Sequence, residues 1–580
     1  MFRHFNKEIT TLFLCCILTG CGGGGSSSPS SVATSTPAST PASTPTPTTL
    51  TVRQLAKSAD SYAIYYGALD PASIQALQSY PLVIVHPSNG NLTRPQIQAL
   101  QQGVSPTNNT NNTVVLCYIS IGEDSRTYNL TDAQMLADPR FVGDATGPSI
   151  DPRGTALTAR SLTAVNPLGT PTNGGFASWY LNDNATYNAS APVNVPDQNP
   201  NFLTRYVNAG DPKWYDVVNN NLADAAVPAG YPQNPPGLKE MLTTTYGRGL
   251  GCDGVFLDTI DTAAPNSYAP TISNFEWTAK GFTDFINKVR ADYPDKVILQ
   301  NRGIFFFDPR LPHYEVSARG NIDLFLFESY RMDSNSTQIF DPYFFPDNKF
   351  NYAPKLMAEA NRADGFKVLS LGYADGWGGP KLGIDINTLT GGSSVGFSEL
   401  LTDIQEALAV GFRPYLTDAT VTLINPFVKT NANLTDTTPP QWSSIFNANY
   451  GSFPTPPSAQ TPRVGIQTAS ASSGSLTIAW DVALDMNQVG YALYYKTTPF
   501  DFVADPNLAT ATRVVLTPTT GIGYAQVWNS SNPNTALQSV YPYQQTLSNL
   551  PAGATYYLVI RAFDSAGNEE KNQVYLSAAL

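Results

Sequence analysis

A chain of 580 residues, 42% of them hydrophobic, is long enough to bury more than one core. Its 33 basic against 45 acidic side chains leave a net charge of −12, which repels phosphate backbones and excludes nucleic acid as a partner. Three histidines and five cysteines, scattered along the chain, offer no zinc-ligand spacing, so neither a metal nor a cofactor is expected.

In chain order, a basic start (Arg3, His4, Lys7) precedes the short apolar stretch Leu12 to Leu18 and then Leu18-Thr19-Gly20-Cys21. This is the pattern of a secretory signal over residues 1–20, too short for a stable membrane span. Its ending resembles a bacterial lipobox, which implies cleavage before Cys21, acylation there and attachment to a membrane. Gly22 in the following position, rather than Asp, points to the outer membrane or cell surface. Residues 21–55 are dominated by Gly, Ser, Thr, Ala and Pro and read as a tether. Of the cysteines left after processing, Cys117 and Cys252 both fall in apolar runs, where buried thiols are the default and a disulfide stays open.

From 56 to 428 the pattern alternates strand and helix. The predicted strands are Tyr62–Gly67, Leu82–His86, Val114–Glu123, Gly254–Asp258, Val297–Asn301, Ile322–Ser329, Val368–Tyr373 and Phe412–Thr417. Amphipathic helical pieces lie between them, the longest at Phe275 to Tyr293 and Leu400 to Val410. Eight such strands predict an α/β fold, a (β/α)8 TIM-type barrel, with a doubly wound open sheet as the alternative. Polar residues collect at the strands' C-terminal ends: His86, Glu123, Asp258, Asn301, Glu328, and Tyr373 with nearby Asp375. That is where barrel enzymes place their chemistry. The segment from Glu123 to Asp253 is longer than a connection requires. Its Trp179 and Trp214 either form a sugar-stacking wall or anchor the insertion to the barrel.

After a linker at 429–460, residues 461–580 turn all-β. Ser475 to Trp480 alternates at period two, and Leu550 precedes Tyr556 with the spacing of a tyrosine corner. The segment resembles a fibronectin type III domain, which implies a small sandwich serving as a spacer.

The run Gly251-Cys252-Asp253-Gly254-Val255-Phe256-Leu257-Asp258-Thr259-Ile260-Asp261 puts an acid where a buried strand stops, and Ile322 to Tyr330 repeats the pattern around Glu328. Two such acids facing one pocket have the makings of glycosidic cleavage, one attacking and one protonating the leaving oxygen. Asp253, at a strand's start, is expected to turn or cap backbone. Val115–Glu123, Asp211-Pro212-Lys213-Trp214, Gly251–Asp261, Gln300-Asn301 and Phe327-Glu328-Ser329 together resemble glycoside hydrolase family 114, endo-α-1,4-polygalactosaminidases. The resemblance implies Asp258 as nucleophile, Glu328 as acid/base and a retaining, endo-acting mechanism on galactosamine-rich polysaccharide. Glu123, Asp261, Asn301, Tyr330, Tyr373, Asp375, Trp214 and His86 are then the candidates for substrate contact. Two departures bear on the sugar: His86 stands where an acid is expected after strand 2, and Thr259 where Asn is frequent. The alternatives are a non-catalytic polysaccharide-binding lipoprotein and a hydrolase of neutral α-linked glycans. A monomer is expected in each case.

Overall fold

The computed structural model describes residues 50–89, 91–103, 112–143, 149–150, 175–182, 195–265, 275–308, 311–334, 338, 344–377, 379–381, 383–391, 394–442, 465–472, 474–517 and 543–580. Cys21, the signal and most of the tether lie outside them.

Eight parallel strands pair in sequence order: β1 (Ala63–Tyr65), β2 (Leu82–Val85), β3 (Val114–Ser120), β4 (Gly254–Asp258), β5 (Val297–Asn301), β6 (Leu324–Glu328), β7 (Lys367–Tyr373) and β8 (Arg413–Thr417). An open doubly wound sheet would break that order at a switch point; here it runs unbroken, and the ends meet. Tyr66 N–H donates to Val421 O at 2.7 Å, and the Tyr62 and Tyr415 rings lie 5.5 Å apart. The fold is a nearly closed (β/α)8 barrel.

The strands are apolar on both faces because both are covered. Val83, Ile84, Leu116, Val255, Leu257, Leu299, Leu324 and Leu326 are fully buried. Gly254 opens β4 because a Cβ there would stand 2.2 Å from Val297 O on β5. Helices start where polar caps allow it: Asp70 accepts from Ser73 N–H ahead of Pro71–Leu77, and Thr93 with Gln96 forms a capping box ahead of Arg94–Gln102. The longest helices among the described residues are Ala279–Asp292, which precedes β5, and Ser394–Ala409, which packs against β8. Among the described residues no helix is long and apolar enough to cross a membrane.

The open question about the cysteines is resolved in the structure: Cys117 on β3 and Cys252 just before β4 form a disulfide. The insertion after β3 is held to the barrel by a short antiparallel pairing of Glu123–Asp124 with Arg205–Tyr206. Below that pairing the Trp214 indole, 2% exposed, donates from Nε1 to Ile121 O at 2.8 Å and lies 6.1 Å from Trp179. Burial rules out the stacking role considered for Trp214; it anchors the insertion.

The C-terminal region is two antiparallel sheets. One contains β9 (Ile466–Ser472), β10 (Ser475–Trp480) and β13 (Tyr543–Ser548). The other contains β11 (Val489–Lys496), β12 (Thr512–Leu516), β14 (Thr555–Asp564) and β15 (Tyr575–Ala579). Trp480 and Tyr543 of the first face Tyr491 of the second, and Tyr556 Oη donates to Pro551 O at 3.0 Å. This sandwich touches the barrel directly. Tyr543 Oη donates to Ala358 O at 3.0 Å, and Arg413 of β8 donates to Met486 O at 3.0 Å.

Candidate active site

Asp258 closes β4, Asn301 closes β5 and Glu328 closes β6, and because neighbouring strands pair in parallel, their last residues emerge side by side. Asn301 Nδ2 lies 2.7 Å from Asp258 Oδ1 and 2.7 Å from Glu328 Oε2. One amide nitrogen thus spends its two protons on two carboxyls, whose nearest oxygens are separated by no more than twice that distance. Retaining glycosidases hold their pair at about 5–5.5 Å, inverting ones at about 6.5–9.5 Å. The remaining oxygens have donors of their own: Tyr118 Oη at 2.7 Å from Asp258 Oδ2, and Tyr373 Oη at 2.6 Å from Glu328 Oε1.

The backbone turns sharply after each of the three. Thr259 (φ 64°), Arg302 (φ 52°) and Ser329 (φ 58°) are all left-handed without being glycine. This conformation costs about 1–2 kcal/mol per residue and persists only where the surroundings impose it. Thr259 Oγ1 accepts from Gly122 N–H at 2.8 Å, while Arg302 and Ser329 N–H donate to Leu326 O and Leu371 O on the next strands. Gly122 is required for that approach, since a Cβ there would lie 2.1 Å from Thr259 O.

Burial pushes both carboxyls above the usual range, and the charge of Asp258 raises Glu328 further. Asp258 is partly held down by hydrogen bonds from Asn301, Tyr118 and the Thr259 backbone. Glu328 is likewise held down by hydrogen bonds from Asn301 and Tyr373 and by the charge of Arg302. Two carboxyls this close resist ionising together, so the pair favours one charged and one protonated member, the state in which one attacks and the other donates. Beside them Arg302 Nη1 donates to Glu328 O at 2.9 Å and its Nε pairs with Asp261 Oδ2 at 2.8 Å.

The other candidates divide. Asn301 and Tyr373 stand at the pair; His86 is one ring removed, stacked 4.4 Å from the Tyr118 ring that bonds Asp258. Asp375 is further out, half-buried, accepting from Ala419 N–H. Asp261 remains 44% exposed as a side chain, but its carboxylate goes to Arg302 and to Gly303 N–H rather than orienting Asp258. Glu123 is closed off from substrate. It is 6% exposed and accepts from Asn199 and Thr204 of the insertion, and burial raises it to about 7. Tyr330 is likewise no substrate contact, its ring being packed against Phe327 and Phe412 in the core. Asp253 is structural as expected, its Oδ2 accepting from Val115 N–H at 3.0 Å.

Tyr118, Tyr66 and Arg302 were not among the candidates from sequence. Tyr118 sits inside an apolar run and reads as core. Tyr66 is marked by its surroundings, since burial and the charges of Asp258 and Glu328 push its phenol well above the ordinary value. Position alone, directly after Asn301, was the available signal for Arg302. Among the described residues, one group of three carboxylates, Asp436, Asp485 and Asp564, has ligand-type oxygens within 4.8 Å of one another. It belongs to the sandwich side of the chain and not to the strand ends.

The chain matches no protein-family model and no curated protein. Solved structures similar to it include the glycoside hydrolase domain of PelA from Pseudomonas aeruginosa, at 14% identity and a TM-score of 0.34, covering 63% of this chain and 99% of that one. An α-amylase from Geobacillus thermoleovorans complexed with acarbose has 10% identity and a TM-score of 0.30, over 87% and 99% of the two chains. A family GH13_31 enzyme has 10% identity and a TM-score of 0.30, over 62% and 65%.

Proposed function

We propose that this protein is a glycoside hydrolase that cuts α-linked, galactosamine-rich exopolysaccharide by a retaining, endo-acting mechanism, carried to the outer membrane or cell surface by a lipid on Cys21. The observation that supports this most directly is the single Asn301 amide bonded to both Asp258 and Glu328. A pair so close leaves no room for water between nucleophile and sugar, as inversion requires. Asp258 attacks the anomeric carbon while Glu328 gives its proton to the leaving oxygen. Glu328, now a base, then takes a proton from the water that releases the glycosyl group. Tyr118 and Asn301 hold Asp258 at the attacking angle; Tyr373 holds Glu328. The paired Arg302 and Asp261 cancel one another, so the charge left at the mouth is the negative charge of the Asp258–Glu328 pair, which suits a cationic chain.

The test is depolymerisation of purified, partly de-N-acetylated galactosamine polymer by the wild type, Asp258→Asn and Glu328→Gln. Loss of activity in both variants with melting temperature preserved is expected; full activity in either rejects the assignment.

A further inference from the structure

The wall on the nucleophile's side of the pocket is unlike its acidic mouth. β2 ends at Val85, so His86 stands at the same rim as Asp258. Its ring stacks on Tyr118 at an interplanar angle of 20°, with the Tyr66 ring edge-on at 5.1 Å. Tyr118 in turn donates to Asp258. Asn89 N–H donates to His86 Nδ1 at 3.2 Å, so Nδ1 must offer a lone pair and the ring proton resides on Nε2. Burial, which lowers the imidazole to about 4, keeps the ring uncharged at neutral pH. Among the described residues nothing accepts from Nε2, and the side chain is partly exposed.

A neutral imidazole oriented this way is a donor only. An ammonium has three donors and no acceptor, so it has nothing to offer Nε2–H, whereas an acetamido carbonyl accepts from it. The chemistry of the step points the same way. The transition state is oxocarbenium-like at the anomeric carbon, and a neighbouring ammonium would set a second positive charge beside it.

We propose that His86 selects an N-acetylated sugar for the unit transferred to Asp258, so that this enzyme cuts a partly cationic chain at its uncharged units. The acidic mouth gathers the chain; the neutral wall chooses where it is cut. This rests on the glycoside hydrolase reading above.

The experiment digests galactosamine polymers of graded N-acetylation with the full chain and reads the new reducing ends by mass spectrometry after reductive labelling. N-acetylated ends should predominate, and the fully deacetylated polymer should be cut roughly tenfold or more slower. His86→Asp replaces the donor by an acceptor and should move the products toward free-amine ends. His86→Asn keeps an N–H donor and should retain part of the wild-type preference, a rescue that loss of folding would not produce. Equal cleavage at both kinds of unit by the wild type, or His86→Asp products indistinguishable from wild type, overturns the selection while leaving the hydrolase reading standing. Failure of the wild type to cut any of the polymers overturns both.

Discussion

Strands β4 and β6 are each bracketed by acids five residues apart, Asp253 and Asp258 on one, Asp323 and Glu328 on the other. At the N-terminal ends the acids are bonding groups. Asp253 Oδ2 accepts from Val115 N–H and from Gln101 at 2.9 Å. Asp323 accepts from Ile298 N–H at 3.0 Å and pairs with Arg53 at 2.9 Å and Arg290 at 2.6 Å. Each latches the preceding strand to its own. At the C-terminal ends no cation reaches either carboxylate within salt-bridge distance among the described residues, and the donors are a neutral amide and two phenols. Acids at the two ends of the same strands thus take opposite roles because of what faces them. Bonded to the neighbouring strand's backbone, and in Asp323 compensated by two guanidiniums, they glue the barrel; at the other end, facing each other with no salt bridge among the described residues, they retain raised proton affinity and reactivity.

The largest expected effect separates the two ends by activity. Asp258→Asn and Glu328→Gln should lower kcat by roughly a thousandfold, the scale of losing a nucleophile or a general acid. Melting temperature should hold or rise, because each change removes repulsion within a buried pair. Asp323→Asn should do the reverse, leaving Arg53 and Arg290 without their counter-charge at a cost of about 3–5 kcal/mol. Urea unfolding measures that loss, and kcat per folded molecule should be unchanged. A catalytic defect in Asp323→Asn at full folding would break the division.

The sequence made the strands legible because a strand buried on both faces has to be apolar throughout, and the acid ending it is conspicuous. All eight appear within a few residues of their predicted ends, β4 and β5 with both ends matched. What it did not reveal depends on register. Nothing in Gln300-Asn301 says that one amide will reach across two strands, since that requires Asn301 to lie beside Asp258 and Glu328 to stand two residues past the Leu326 that pairs with Asn301. Tyr118 was invisible for a related reason: within Val-Leu-Cys-Tyr-Ile-Ser an aromatic reads as core, and its hydroxyl matters only once β4 lies alongside. The left-handed turns at Thr259, Arg302 and Ser329 were equally hidden, having no glycine to announce them. Trp214 and Glu123 misled because aromatic and acidic residues in a long insertion look like substrate contacts until burial is known.

The next prediction uses pH to sharpen the contrast. Because burial raises both carboxyls of the pair, kcat/KM should be bell-shaped with both limbs above the ordinary carboxylate range, the two limbs being the two successive titrations of the Asp258–Glu328 pair. Glu123 titrates to different effect. Raised from 4.5 to about 7, it binds a proton in the folded state through a window where the unfolded chain has lost it. Folding is therefore favoured at the low end of that window, and the advantage is lost as pH rises toward 7. Glu123→Gln should be stabilising at pH 8, by an amount on the order of 3 kcal/mol at most, and lose that gain by pH 4. Thermal melts at the two values check it; a gain that does not depend on pH would mean the carboxyl is not titrating in the folded chain.

The smallest effect concerns the sandwich. Tyr543 is fully buried, with its ring 5.3 Å from Tyr491, Arg362 of the barrel 5.9 Å above it, and its hydroxyl on Ala358 O. Tyr543→Phe keeps the ring and removes one neutral hydrogen bond, a loss of about 0.5–1.5 kcal/mol. It should lower the melting temperature slightly and leave kcat alone, because Ala358 sits on the helix outside the barrel and not at the strand ends. Deleting residues 465–580 strips away more. Met486 O, the acceptor for Arg413 on β8, goes with it, and Trp442 loses its neighbour Tyr491 at 5.7 Å. A barrel that melts unchanged after that deletion would show the two parts to be independent; a barrel destabilised by more than the Tyr543 hydroxyl accounts for would show that the sandwich braces the fold rather than merely extending it.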